Sequence, residues 1–292
     1  MRWLAIANPA AGRARDAERA LRRLACAAGV RHEVAHTGAP GDATRLAREA
    51  ADFDGLIAVG GDGTIGEVLH GMDLRRQRLA VLPAGHGNCL ARDLGVGDAR
   101  RAVTSLQRNA CRPVDLMEVR IGFADGREDR RLCASTLAVG YVTDVVVLGR
   151  QRLHALGRAA YAAAAMLVVP RRFGVRFAGP RGDAASRGLT GIVINNTAHL
   201  ANFRGLPDAS THDGLLDIME QGHGWPRQLL HNLAVLSGSR ACGPLRLRQA
   251  AAEQVELDRP QTLMADGELL HDVIRLSVTC RPAAVTCVVG PE

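Results

Sequence analysis

Short apolar runs alternate with amphipathic stretches along the first hundred residues of the chain. The apolar runs have the length of buried strands, and between them apolar side chains recur at helical spacing. The predicted strands and helices cover, in order, residues 3–7, 15–28, 30–36, 42–51, 55–59, 65–69, 79–82 and 89–94. Because strands and helices alternate, we expect a parallel sheet with right-handed crossover connections.

The pattern changes after about residue 112. Short β-rich runs separated by turn residues now dominate, and they predict an antiparallel β domain. The predicted strands cover residues 112–122, 131–139, 171–178, 189–195, 215–220, 245–247, 253–257 and 268–278, with helices at about 154–169 and 225–237. A length of 292 residues fits two domains, and the change of pattern places their boundary near residue 120.

A glycine-rich loop, Gly60-Gly61-Asp62-Gly63-Thr64, follows the third predicted strand. It lacks side chains where backbone N–H groups would approach an anion, and it leads into a helix N-terminus, so phosphate is the expected ligand. Asp62 would be repelled by a bare phosphate unless a divalent cation or a substrate hydroxyl lay between them. This makes Asp62 a candidate catalytic residue. A tight turn in which Asp62 caps the helix is the alternative.

Two similar loops follow the first and fourth predicted strands, at residues 8–12 and 83–88. Arg13 or Arg15 would add positive charge to the first of them. Loops that follow parallel strands meet at one edge of a sheet, where ligands bind in open α/β folds. We therefore expect the three loops to form one binding site.

The amino-acid composition excludes several kinds of catalytic and binding site. All 37 basic residues are arginine, so a lysine-dependent phosphate loop, a Schiff base and pyridoxal-phosphate attachment are excluded. The net charge of +7 is compatible with nucleic acid, an anionic membrane or an acidic substrate. An aromatic content of 3% argues against a base-stacking platform.

The cysteines and the termini indicate an intracellular protein. Seven cysteines without CxxC spacing do not suggest a disulfide framework, and a reducing cytosol is expected. The N-terminal apolar stretch is too short for a signal peptide and is predicted to be the first strand. No run approaches the roughly 20 apolar residues that span a bilayer.

The ordered set of loops and later motifs resembles the diacylglycerol kinase catalytic domain family, which includes bacterial soluble lipid kinases and the sphingosine and ceramide kinases. The resemblance covers essentially the whole chain. The motifs that carry it are Asn8-Pro9-x-x-Gly12, Gly60-Gly61-Asp62-Gly63-Thr64, Pro83-x-Gly85-x-x-Asn88, Val114-Asp115, residues 134–140, Asn195-Asn196, residues 213–217 and Asp266-Gly267-Glu268.

The resemblance implies a fold of α/β plus β class. A doubly wound parallel α/β domain over residues 1–120 would bind the nucleotide, and an antiparallel β-sandwich domain over residues 121–283 would bind the lipid. The active site would lie in the cleft between them, and the C-terminal strand, within residues 284–292, would join the first domain.

The resemblance also implies ATP and Mg²⁺ as cofactors. Asp62, Asp266 and Glu268 are the catalytic candidates, with the roles among them left open. A structural Mg²⁺ is expected on the carboxylate of Asp213 and the carbonyls of Ser210 and Leu215, although the residues alone predict plain turns at 213–217 and 266–268. The nucleotide is expected to contact Asn8, Pro9, Gly12, Arg13, Thr37, Gly60, Gly61, Asp62, Gly63, Thr64, Ile65, Gly66, Glu67, Gly85, His86 and Asn88.

Two positions depart from the family pattern. His86 stands where the family usually has a threonine near the nucleotide phosphates, and Gly66 where it often has an asparagine. An imidazole at residue 86 can still donate a hydrogen bond. Glycine at residue 66 loses an amide and weakens the helix by up to about 1 kcal/mol.

Three functional hypotheses follow. The leading one is an ATP-dependent lipid kinase that transfers the γ-phosphoryl group to a hydroxyl of a diacylglycerol-like or sphingoid lipid. The others are a kinase of a soluble metabolite, of the NAD kinase type, and a nucleotide-binding regulatory protein that has lost catalysis, which His86 and Gly66 motivate.

The leading hypothesis makes the expected partner a lipid at a membrane surface. We expect no nucleic acid, a cytoplasmic protein peripherally associated with the membrane, and leave a homodimer open. The helix at residues 156–167 is expected to be core, with an acyl-chain groove as the alternative. The arginines expected to contact anionic lipid are Arg150, Arg152, Arg158, Arg171 and Arg172.

Overall fold

The N-terminal elements form where the apolar pattern places them. This computed structural model describes residues 1–27, 29–85, 87–178, 184–200, 203, 204, 206, 209–222, 224–236 and 246–290. The N-terminal elements are β1 (Trp3–Ala7), α1 (Ala14–Ala27), β2 (His32–His36), α2 (Asp42–Glu49), β3 (Gly55–Gly60), α3 (Asp62–Gly71), β4 (Arg78–Pro83), α4 (Cys89–Asp93) and α5 (Ala99–Arg108). The strands β4, β3, β1 and β2 are parallel neighbours in that order, as the strand–helix alternation predicted.

The second part of the chain is rich in antiparallel strands. Its elements are β5 (Cys111–Phe123), β6 (Glu128–Cys133), β7 (Thr136–Gly140), α6 (Tyr141–Gln151), a 3₁₀ segment (His154–Ala159), α7 (Ala160–Leu167), β8 (Phe173–Ala178), β9 (Ala184–Leu189), β10 (Gly191–Asn195), β11 (His199–Leu200), β12 (Phe203–Arg204), β13 (Leu216–Gln221), α8 (Trp225–Leu236), β14 (Arg246–Ala250), β15 (Ala252–Ala265) and β16 (Glu268–Val288). The fold is therefore a mixed, sheet-rich α/β structure.

One long sheet connects the two parts. Its strands follow the order β14, β13, β10, β7, β15, β16, β4, β3, β1, β2. The link is β16, which is antiparallel to β15 and β5 along most of its length and parallel to β4 at Thr286 and Cys287. The end of the chain thus pairs with the first four strands, while the division into domains near residue 120 stays a prediction.

Two large apolar clusters lie along this sheet. The first packs the parallel strands against their helices and includes Ile6, Leu56 and Leu82. The second lies between β7, β10 and β13 on one side and β5 and β8 on the other, and includes Leu137 and Phe177. The sheet divides at β15, which pairs with β8 near its start and with β7 near its end.

Several element predictions were wrong. The run 131–139 is not one strand but two, β6 and β7, because the chain breaks at Ala134 and Ser135, where backbone N–H groups bind a side chain instead of a strand. The runs 268–278 and 284–289 are one strand, β16, with an irregularity between Arg281 and Val285. Five elements were not predicted: α5, α6, β9, β11 and β12.

In the part of the chain that the structure describes, no helix is both long enough and apolar enough to cross a membrane.

Candidate active site

The three predicted loops meet at the carboxyl ends of β1, β3 and β4. The amide of Asn8 donates to the Thr64 hydroxyl at 3.2 Å, which joins the first loop to the second. The Arg13 backbone N–H donates to the Ala84 carbonyl at 3.1 Å, and its guanidinium to the Gly85 carbonyl at 3.2 Å. The parallel order of the strands brings these loops together because their carboxyl ends share one sheet edge.

The glycines of this edge permit close backbone approach. A Cβ at Gly85 would lie 2.6 Å from the Cα of Gly61, and a Cβ at Gly60 would lie 2.4 Å from the Thr64 hydroxyl. Asn88, in the left-handed conformation at φ 51°, closes the third loop through hydrogen bonds with the N–H and carbonyl of Gly85, at 3.0 and 2.8 Å.

Gly85→Ala is therefore expected to destabilise the protein by about 1–3 kcal/mol and to weaken ATP binding, because the added methyl group must push the two loops apart. Gly188→Ala is the matched control, since no atom lies within 4 Å of its Cβ position. Urea unfolding and calorimetric ATP titration measure the two effects. Equal stability and equal ATP affinity in both variants would contradict the close approach of Gly61 and Gly85.

Asp62 begins α3 at this edge and is partly buried. Loss of hydration raises the pKa of its carboxyl above the ordinary value, while backbone N–H groups at the start of α4, from Leu90, Cys89 and Asn88, lower it in part. The Ser135 hydroxyl lies 3.5 Å from Asp62 Oδ1. Asp62, in the predicted glycine-rich loop, thus lies beside Ser135, which is more than 70 positions away in the chain.

Asp266 lies on the turn between β15 and β16, with φ 45°, and is buried. Its carboxylate accepts three backbone N–H groups, from Ala134 to Oδ2 at 2.6 Å and from Ser135 and Thr136 to Oδ1, both at 2.9 Å. Burial raises the pKa of Asp266 to about 7, and the charge of Asp62 adds to this increase, against the effect of the three N–H donors.

Asp62 and Asp266 therefore form a pair of neighbouring carboxyl groups that both contact Ser135. Two lone pairs of Asp266 Oδ1 are used by N–H donors, whereas Oδ2 keeps one acceptor position. A Cβ at Gly66 would lie 3.9 Å from this Oδ2. The glycine that departs from the family pattern thus lies beside Oδ2 of Asp266 without a side chain to contact it.

Glu268, the third predicted catalytic carboxylate, lies on the same turn but is exposed. Its carboxylate forms an ion pair with Arg131 at 2.6 Å. Arg150 on α6 donates to the Gly267 carbonyl at 2.5 Å. Two arginines therefore hold the turn that carries Asp266.

The remaining residues that were predicted to contact the nucleotide differ in their exposure and position. Pro9, Gly12 and Gly63 are exposed, and Ile65 is buried in the first apolar cluster. The Thr37 N–H donates to the Ala7 carbonyl at 2.9 Å, which places it beside the end of β1. His86 lies outside the described residues.

Glu67 has a structural role. Its carboxylate accepts the backbone N–H groups of Gly41 and Ala43 at 3.0 and 3.2 Å, so it caps the N-terminus of α2. The Thr44 hydroxyl donates to the Glu67 carbonyl at 2.8 Å. Glu67 therefore joins α3 to α2, and its predicted contact with a nucleotide stays untested.

The predicted metal ligands lie together in the loop before β13. Asp213 is exposed, and its Oδ1 accepts the N–H of Leu215 at 3.0 Å, while the Ser210 hydroxyl lies 3.0 Å from a ring nitrogen of His212. Buried Asp115 fixes this loop by accepting the Gly214 N–H at 2.7 Å. Among the described residues, no three His, Cys, Asp or Glu side chains are grouped so that they could hold a metal ion.

Two site residues, Ser135 and His70, were not predicted from the sequence. Ser135 lies in the motif at residues 134–140 but inside a run predicted to be strand, so it was not named as a site residue. His70 was also missed: its Nε2 accepts the Leu132 N–H at 3.0 Å, so the proton must lie on Nδ1, which donates to the Gly66 carbonyl at 2.7 Å. His70 thereby connects α3, which carries Asp62, to the segment that binds Asp266.

The arrangement defines a class of protein. Glycine-rich loops at a helix N-terminus bind phosphate groups, and an adjacent carboxylate accepts a proton from an attacking hydroxyl. These are the two parts that phosphoryl transfer to an alcohol requires. The arrangement is typical of a phosphotransferase.

Comparison with known proteins agrees with this class. The family model described as diacylglycerol kinase catalytic domain matches residues 2–119. The chain is 30% identical to the probable lipid kinase YegS-like of Stenotrophomonas maltophilia over 282 residues, covering 90% of this chain and 85% of that protein. It is 31% identical to the diacylglycerol kinase of Bacillus subtilis over 192 residues, covering 63% of this chain and 60% of that protein's length.

A crystal structure of a diacylglycerol kinase from Bacillus anthracis has the same fold, with a TM-score of 0.77 at 22% identity, covering 99% of this chain and 97% of that one. Because the Stenotrophomonas maltophilia relative is 30% identical over 90% of this chain, the chain belongs to the family of lipid kinases with a diacylglycerol kinase catalytic domain.

Proposed function

We propose that this protein transfers the γ-phosphoryl group of ATP to a hydroxyl of a diacylglycerol-like or sphingoid lipid. The observation that carries the proposal is the meeting of Asp62, at the glycine-rich loop, with Asp266, from the far end of the chain, around Ser135. Family membership supports a lipid acceptor.

Asp62 is proposed as the base. A base must reach the substrate hydroxyl, and of the two neighbouring carboxylates Asp62 is the one that is only partly buried. In the transfer step the lipid oxygen forms a bond to the γ-phosphorus, the bond to the β-phosphate oxygen breaks to release ADP, and the hydroxyl proton passes to Asp62. Asp266 acts as a positioning residue that orders residues 134–136 beside the reacting groups.

Backbone N–H groups of residues 60–64 and the guanidinium of Arg13 are proposed to hold the phosphates, since the chain contains no lysine for this task. Arg13 already bonds to the Gly85 carbonyl, so its charge lies at the loop edge. Glu268 and Glu67 are engaged with Arg131 and α2, respectively, and their roles in the reaction stay predictions.

Mg²⁺ is proposed as a cofactor. The predicted ligand set is one exposed carboxylate, Asp213, with the carbonyls of Ser210 and Leu215, and such oxygen ligands suit a hard cation. The Asp115 contact to Gly214 orders this loop independently of any ion. When bound, Mg²⁺ would act as a structural ion that stabilises this loop.

The two other hypotheses are not favoured. The family relationship points to lipid rather than to NAD as acceptor. A protein that has lost catalysis is at odds with the carboxyl pair, because burying two neighbouring acids destabilises a fold that gains nothing from them.

A radiolabelled assay tests the proposal. Purified protein, ATP labelled at the γ-phosphate and Mg²⁺ are incubated with diacylglycerol, ceramide, sphingosine, NAD or no acceptor. We expect label in a lipid product at a rate at least about 10²-fold above the rate without acceptor. Label in NAD alone, or ATP binding without turnover on any acceptor, would overturn it.

A further inference from the structure

The helix α8 is reversed with respect to the usual amphipathic pattern. Among residues 225–233, whose side chains the structure describes, the buried positions are polar, Gln228, His231 and Asn232, whereas Leu230 is 66% exposed and Leu233 is 47% exposed. A helix packed on a protein core normally presents its apolar residues to that core. The exposed face of α8 is therefore suited to an apolar environment outside the protein.

Hydrogen bonds fix this orientation of α8. The Asn232 amide donates to the Tyr141 hydroxyl at 2.6 Å and to the Ala165 carbonyl at 2.7 Å, and the Gln228 amide donates to the Asn232 side-chain oxygen at 3.1 Å. Turning the helix over would bury the leucines but would leave these buried polar groups without partners, which is costly. The leucines are exposed because the polar contacts to α6 and α7 require it.

The exposed apolar surface continues onto neighbouring segments. The end of α7 contacts α8 through Ala165, and the residues that follow Ala165 also carry exposed apolar side chains. Leu167 is 62% exposed, Val169 is 58% exposed, and Trp225 at the start of α8 is 44% exposed. We call Leu167, Val169, Trp225, Leu230 and Leu233 the apolar face. Grouped exposed residues of this size mark an interaction surface.

The exposed charge next to the apolar face is mostly positive, although it includes Asp144 on α6, whose carboxyl interacts with Arg171. Residues 145–182 contain seven arginines and no acidic residue, and residues 221–252 contain four arginines and no acidic residue. Arg171, Arg172 and Arg227 are exposed next to the apolar face, whereas the side chain of Arg158 lies outside the described part. Apolar side chains with tryptophan and surrounding arginines match the interface of an anionic bilayer.

The apolar face is also connected to the candidate active site. Tyr141 and Arg150 both belong to α6: the first contacts α7 and α8, and the second donates to the carbonyl of Gly267, next to Asp266. One helix therefore links the apolar face to the turn that carries Asp266.

We propose that the apolar face docks on an anionic phospholipid bilayer, with its leucines at the boundary between headgroups and acyl chains. The proposal rests on the lipid kinase function proposed above, and it names the part of the protein that meets the membrane. The docking is reversible because the apolar face is small and does not cross the bilayer.

Vesicle binding tests the proposal with the double variant Leu230→Ser/Leu233→Ser. Its control is Leu247→Ser, which alters a 54% exposed leucine on β14, outside the apolar face. For vesicles of phosphatidylcholine with 30% phosphatidylglycerol, we expect the double variant to bind about 10-fold to 100-fold more weakly than wild type and the control to bind equally. Circular dichroism checks that both variants are folded. Equal binding of the folded double variant and wild type would overturn the proposal.

Tryptophan fluorescence gives a second readout. Trp3 is 3% exposed and Trp225 is 44% exposed, so a change on adding vesicles reports Trp225. We expect a blue shift and protection from acrylamide with anionic vesicles. The absence of a blue shift would show that the apolar face does not meet the bilayer. If the double variant changed from dimer to monomer while its vesicle binding stayed unchanged, the apolar face would be a subunit interface instead.

Activity separates this proposal from the function on which it rests. With a dispersed short-chain diacylglycerol we expect equal turnover for wild type and the double variant, and with diacylglycerol in vesicles a loss of about 10-fold or more. Loss of vesicle binding in a protein without kinase activity on either acceptor would support docking and refute the proposed function. Kinase activity with unchanged vesicle binding in the double variant would refute docking alone.

Discussion

Replacing Asp62 with asparagine is expected to lower turnover by about 10³-fold or more while the protein stays folded. Turnover falls because asparagine cannot accept the proton of the substrate hydroxyl. The protein stays folded because asparagine keeps the volume of the aspartate side chain and one of its oxygens. Asp62 is also next to Asp266, and its negative charge raises the pKa of that residue. Removing the charge relieves this repulsion, so the free energy of unfolding should be unchanged or slightly higher at pH 8.

Steady-state kinetics with a lipid acceptor and urea unfolding measure the two quantities. Asp52→Asn is the control, since Asp52 is exposed and lies outside the loops. Glu268→Gln is the informative comparison, because Glu268 is exposed and paired with Arg131 and should lose much less activity than Asp62→Asn. If Glu268→Gln lost as much activity as Asp62→Asn, the role of base would have to be reassigned.

The second expected result is a rise in activity as the pH increases through the raised pKa of Asp62. Burial raises the pKa values of both Asp62 and Asp266, so the pair keeps a proton in a range where ordinary aspartates are ionised. A base must be ionised to accept a proton, so kcat/KM for the lipid should fall at a higher pH than for an ordinary aspartate base as the pH is lowered. In Asp62→Asn, Asp266 has no charged neighbour. The pH dependence of the residual kcat/KM should therefore disappear or shift to lower pH.

Stability should change with pH in the opposite direction. The folded state binds more protons than the unfolded state between the ordinary aspartate pKa of 3.8 and about 7, so the pair contributes stability at low pH that is lost as pH rises through this range. The free energy of unfolding measured from pH 4 to 8 should therefore contain a decreasing contribution from the pair, smaller in Asp62→Asn. Identical pH slopes for wild type and this variant would contradict the coupling of Asp62 with Asp266.

Much of the N-terminal half was predictable because its elements follow local rules. Apolar runs such as residues 3–7 and 55–59 are buried strands, and the alternation with helices leaves few topologies for a parallel sheet. The helix α5 carried a usable signal that was missed, an Asp98 N-cap followed by buried Ala102, Val103 and Leu106. The helix α6 did not, because its run of valines favours a strand and only packing against α7 makes it a helix.

Local patterns also failed to predict the structure where a residue forms hydrogen bonds with a partner that is distant in the sequence. Residues 131–139 look like one strand, yet the chain breaks so that Ala134 and Ser135 can bind Asp266. The face of α8 was equally hidden, since a helix with mixed polar and apolar residues does not show which side packs on the protein. Burial of Asn232 is decided by Tyr141 and Ala165, which are far away in sequence.

The sequence alone determined the order of the elements in the first hundred residues, the three glycine-rich loops, the absence of lysine chemistry and the family to which the chain belongs. These features depend on short-range patterning and on residue identity. The tertiary structure alone decided that Asp62 and Asp266 form a coupled pair around Ser135, that Glu268 pairs with Arg131, and that α8 turns its leucines outward. Each of these is set by contacts between segments far apart in the chain, and no local periodicity encodes such contacts.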